Sequence, residues 1–140
     1  MSLYQVGIYH NTTSTFLPYD SEDLVSLVFT FDLERPDGTS AEQVADWAFR
    51  AFNADLDLLE SDQRDGNADP MVFPLACLYR LLRLRSVAVG DVLRVACGEQ
   101  VWWLGCGRSG WDAVDEPWPY QGKPLTAKRI YEHLAADRQR

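Results

Sequence analysis

The sequence predicts an α+β fold: a small antiparallel sheet, or partly open barrel, of about four or five strands packed with two or three helices. Three observations predict it. Runs rich in β-branched and aromatic residues occupy positions 4–9, 24–32, 92–97 and 101–106. The last two runs are separated only by Gly98-Glu99-Gln100, which makes them a hairpin. Between the first pair and the hairpin lies Ser40-Ala41-Glu42-Gln43, a capping box that opens an amphipathic helix.

The elements follow in order. Residues 4–9 alternate weakly and read as a first strand. A polar loop follows from His10. Residues 24–32 read as a second strand, antiparallel to the first, ending in the turn Arg35-Pro36-Asp37-Gly38. The capping box predicts a helix over 41–52, with Val44, Ala48, Ala51 and Phe52 inward, Trp47 beside them and Asn53 as its stop. Residues 54–69 carry six carboxylates and read as a mobile acidic loop holding at most one helical turn. Pro74 suits the first turn of a second helix with Leu75, Leu78, Tyr79 and Leu82 on one face. The hairpin module spans about residues 86–114, with 111–114 as a short third strand. Its strands are apolar on both sides, Arg94 excepted, so both faces are expected to be covered. Three prolines mark 116–125 as a loop, and Thr126 caps a final helix over about 127–136, with Ile130, Tyr131 and Leu134 inward.

Nothing divides the 140 residues, which read as one domain. With 46% hydrophobic and 12% aromatic residues, the chain can bury a core despite a net charge of -8. The apolar stretch Pro70–Tyr79 is ten residues long, well under the roughly 20 a membrane helix requires. No basic-apolar leader begins the sequence, so the expected address is cytoplasmic. Charge is uneven: positions 20–69 carry 14 carboxylates against three arginines, whereas 70–140 carry ten basic and seven acidic residues.

Cys77, Cys97 and Cys106 are odd in number and without repeated spacing, so no disulfide framework is expected. Across the hairpin, Cys106 should face residue 92 or 93, too far along the ladder to reach Cys97. With His10 and His133 these thiols have no zinc-ligand spacing; buried thiols and surface histidines are the expectation, and no metal or cofactor is implied. The acidic run around Gly66 fails the EF-hand pattern. Gly105-Cys106-Gly107-Arg108-Ser109-Gly110 leads into Trp111 rather than a helix, so it is no dinucleotide loop.

The strings at 6–11 (V-G-I-Y-H-N), 48–53 (A-F-R-A-F-N) and 85–95 (R-S-V-A-V-G-D-V-L-R-V), followed by Gly110-Trp111, resemble small uncharacterised actinobacterial proteins encoded near plasmid and integrative-element genes. The second half is also similar to YodL-like domains of mobile-element proteins. The run Leu81-Leu82-Arg83-Leu84 departs from that pattern, which is more polar there. The resemblance implies a mobile-element setting and supplies no activity.

Two candidate surfaces stand out. Trp103, Trp111, Trp118 and Tyr120, close in sequence to Trp102, could form an aromatic binding face. Trp102 and Trp103 must point to opposite sides of their strand, so one is core and the other needs a cover: the last helix, Trp118 and Tyr120, or a partner. Asp55, Asp57, Glu60 and Asp62 could form an acidic surface. The expected function is non-enzymatic: a protein-interaction or regulatory module, with an acidic inhibitor or DNA mimic of a basic protein as a special case. The alternatives are a nucleic-acid-binding module using the aromatics with Arg80, Arg83 and Arg85, and a hydrolase of unknown type. A homodimer is the further expectation if a tryptophan face stays uncovered.

Overall fold

The computed structural model describes residues 1–14, 16–66, 69–118, 120 and 125–138. It has an open six-stranded sheet with four helices. Strand β1 (Ser2–Asn11) pairs antiparallel with β2 (Val25–Arg35) on one side. On its other side it pairs with β3 (Val92–Cys97), which pairs with β4 (Gln100–Gly107), and β4 pairs with β5 (Gly110–Ala113). A two-residue strand, β6 (Leu125–Thr126), adds parallel to β2, giving the order β5-β4-β3-β1-β2-β6. The α+β class holds, and of its two predicted forms the sheet is the one found.

Helix α1 (Ala41–Asn53) starts at the predicted capping box: Gln43 N donates to Ser40 Oγ, and Ser40 N donates to Gln43 Oε1. Helices α2 (Leu56–Arg64), α3 (Val72–Leu81) and α4 (Ala127–Arg138) complete the set. Four helices replace the expected two or three because the acidic stretch is not a loop. Asp55 caps α2 by accepting from Asp57 N and Leu58 N, and Leu59 is buried in the core. Carboxylate density marked the stretch as solvent-facing; it did not exclude a helix with one apolar anchor.

The core lies between the sheet and the helices. Tyr4, Val6 and Ile8 from β1, Phe29, Phe31 and Leu33 from β2, and Leu93 and Val95 from β3 pack on Phe52, Leu75 and Tyr79. Phe52 and Tyr79 stack with ring centroids 4.4 Å apart. Leu134, expected inward on α4, has no described side chain, and the last two residues lie outside the described residues.

Four further expectations are corrected. The hairpin turn is Gly98-Glu99 alone, with Gln100 already opposite Cys97, so Cys106 N bonds Asp91 O, one residue beyond the predicted partners. The cysteines are free, as expected, but only Cys106 is buried. The loop after Glu116 ends in β6 rather than running to α4. Finally, helices cover one face of the sheet only. The other face carries a small cluster, Tyr9, Val25 and Val92, partly roofed by Tyr19, Leu27, Trp103 and Val114. Part of this roof, Tyr19 and Val114, comes from irregular segments, which leave no periodic signal in the sequence.

Candidate functional site

The partly covered face is where the aromatic residues gather. One row crosses four strands in direct register: Trp103 on β4, Arg94 on β3, Gly7 on β1 and Thr30 on β2. Gly7 leaves a notch in the middle of the row. A Cβ there would lie 3.3 Å from Tyr9 Cε2 and 3.4 Å from Leu27 Cδ1. Beside the notch, β2 bulges: Ile8 faces Phe29, but Tyr9 faces Leu27, so Val28 is the extra residue. The bulge turns Leu27 to the same side as Tyr9.

The result is a cleft of about 530 Å³ walled by Tyr9, Trp103 and Tyr120, with Arg94, Asp32 and Glu116 among its polar groups. The rings meet edge to face. Tyr9 lies 5.3 Å from Trp103 and 5.3 Å from Tyr120, and Tyr120 lies 6.2 Å from Trp118. Trp118 ends the row at 80% exposure. The Arg94 guanidinium lies 5.9 Å over the Trp103 ring, a cation–π contact. Burial, with Tyr120 and Glu116 nearby, pushes the Tyr9 phenol up to about 12, so it stays neutral and donates rather than accepts as a phenolate.

The predicted site residues therefore divide. Trp103, Trp118 and Tyr120 line up through Tyr9, whose ring lies between those of Trp103 and Tyr120. Trp111 is not with them. It packs on the helix side, edge to face with Phe49 at 6.4 Å, and its Nε1 donates to Asp46 at 2.8 Å. Trp102 likewise packs on the main core. The arginines do not form a patch. Arg80 donates to Ala54 O, joining α3 to the end of α1. Arg85 forks onto Asp91 at 2.6 and 2.7 Å, and Arg83 is exposed. Among the carboxylates, Asp55 is the α2 cap and Asp62 pairs with Arg50 at 3.3 Å, whereas Asp57 and Glu60 face solvent. Sequence reasoning missed Gly7, Tyr9, Asp32 and Glu116. Arg94 was visible as the one charge in an apolar strand, but nothing in the sequence said what it faced.

A second polar cluster is buried. Asp91, fully buried, accepts from Arg85 and from the backbone N–H groups of Asn11 and Ala88, each at 2.8 Å. Tyr79 donates to Arg85 O at 2.6 Å, so His10 Nε2, 2.7 Å away, is the donor to Tyr79. His10 is 7% exposed, not a surface residue as expected. Burial lowers its pKa to about 4, and Arg85 reinforces this while Asp91 opposes it. Asn53 bonds Val87 N and O, both at 2.7 Å. The strings at 6–11, 48–53 and 85–95 thus meet in one clasp joining β1, α1 and the entry to β3. Each polar group in it bonds another part of the chain, which makes it a structural joint. Thr12 and Thr13 bond Leu24 backbone, as a polar loop should.

Burial and Asp91 push the Cys106 thiol up to about 11, far from a reactive thiolate. Among the described residues, no three His, Cys, Asp or Glu side chains are grouped to hold a metal ion. No described helix is long and apolar enough to cross a membrane. Compared with protein families, curated proteins and solved structures, the chain matches none.

Proposed function

We propose that the chain is a non-enzymatic interaction module of a mobile genetic element that binds a basic protein partner through the open face of its sheet. One observation carries the reading: the row Trp103, Tyr9, Tyr120 and Trp118 runs from a half-buried ring to one 80% exposed, with Asp32 and Glu116 in the same cleft. Aromatic rings beside carboxylates suit lysine and arginine side chains, through cation–π contact and ion pairing. The net charge of -8 would speed encounter with a basic partner. The mobile-element setting rests on the resemblance of the three strings. The DNA-mimic case is supported by Asp57 and Glu60, which stand free on α2. The nucleic-acid alternative is less favoured, because Arg80 and Arg85 are engaged inside the molecule.

Affinity capture from the native host tests this with two variants. The pair Trp118→Ala and Tyr120→Ala should lower capture of the partner by about tenfold or more. The pair Asp57→Asn and Glu60→Gln should weaken it in a salt-dependent way if the acidic helix takes part. Asp55 and Asp62 are left intact because they hold α2. Undiminished capture by the aromatic variant would overturn the proposal.

A further inference from the structure

The outer edge of β2 is only partly used. β6 pairs with Phe29 and Thr30, and the chain then turns into α4 at Ala127. From Phe31 to Arg35, no strand among the described residues lies beside β2 on that side. In an antiparallel pair, alternate residues turn their N–H and C=O away from the partner, so this segment offers free ladder groups. Space is open there. A cleft of about 460 Å³ lies between β2 and α4, and one of about 620 Å³ lies between β2, Met1 and Leu3; Asp32 and Met71 line both.

The charges and apolar groups along this edge alternate with the strand. Asp32 and Glu34 are exposed on the open face, while Phe31 and Leu33 point to the core. The nearby cations are matched: Arg35 pairs with Asp69, and Lys128 lies 3.9 Å from Glu132. Neither Asp32 nor Glu34 has an ion-pair partner among the described residues; Arg94 lines the open-face cleft with Asp32 but lies over the Trp103 ring, which leaves Glu34 and the outer side of Asp32 as the acidic charge of the edge. A second copy of this chain added antiparallel at the same edge would set these carboxylates near their own copies, which is unfavourable. On the helix side, 41%-exposed Met71 and 43%-exposed Tyr131 offer apolar contact.

We propose that the Phe31–Arg35 edge of β2 takes up an extended segment of a partner protein as an added strand. The segment alternates basic residues, beside Asp32 and Glu34, with apolar residues, beside Met71 and Tyr131. Backbone bonds supply affinity, and the alternation supplies register. This surface lies at the β2 edge and goes beyond the aromatic row; it shares with that reading Asp32, which lines the aromatic cleft as well, and the sign of the partner's charge.

The test uses the full chain and a labelled, end-blocked peptide of alternating lysine and valine, about six residues long. The peptide should bind at low salt and slow hydrogen exchange at the amides of residues 31–35. N-methylation of alternate peptide amides should weaken binding by about tenfold or more, because the ladder is lost while charge is kept. Asp32→Lys with Glu34→Lys, both exposed positions, should weaken it similarly. Trp118→Ala with Tyr120→Ala should leave it unchanged. No binding, or equal binding of the N-methylated peptide, would overturn the edge proposal and leave the aromatic-row reading standing. Loss in the aromatic variant alone would also overturn it, and would place the peptide on the aromatic row instead.

Discussion

Asp91 is fully buried, yet its carboxylate accepts from Arg85 and from two backbone amides. The preceding Gly90 has φ +98, and a Cβ there would lie 2.4 Å from Leu17 O. The turn into β3 therefore needs a glycine for space and an aspartate for bonding. Asp91→Ala should cost about 3 kcal/mol in urea unfolding, because it strands the Arg85 charge and two amides. His10 gives a pH-dependent counterpart. Its pKa of about 4 in the fold lies below the 6.5 of an unperturbed histidine. Between those values the unfolded chain binds the extra proton, so stability falls as pH drops from 6.5 towards 4 and is complete above 6.5. His10→Gln, which keeps a donor for Tyr79, should remove about 2 kcal/mol of that fall. Parallel unfolding series at pH 4 and 7 would show it as a shallower slope than the parent chain.

At the scale of elements, local signals succeeded where one short segment contained the whole cause. The Ser40 capping box fixed the start of α1, and the turn at Gly98 fixed the hairpin, one residue shorter than the predicted Gly98-Glu99-Gln100. Helix α2 was hidden for the converse reason. Its cap, Asp55, was legible in kind, but its anchor, Leu59, is decisive only because α3 lies beneath it. Asp55→Ala should destabilise the fold by about 1 kcal/mol and leave the aromatic row intact, read by thermal unfolding and by tryptophan fluorescence. β6 was illegible: two residues have no periodicity, and their pairing with Phe29 and Thr30 exists only in three dimensions.

For the molecule as a whole, one sheet face is closed by four helices and the other by fragments. This asymmetry leaves two surfaces open, the aromatic row and the vacant part of β2, and those are the two proposed for partners. Capture from the host and the alternating-peptide titration examine those surfaces separately. The sequence by itself determined the α+β class, the antiparallel hairpin, the capping box and the free cysteines, because each follows from neighbouring residues and their period. Only the tertiary structure decided which tryptophans are accessible, that Arg80 and Arg85 are engaged, that Arg94 and Tyr9 adjoin Trp103, and that Gly7 lies in the same row beside Arg94. Strand pairing brings together residues almost a hundred positions apart, and no local pattern records which partner a strand will choose.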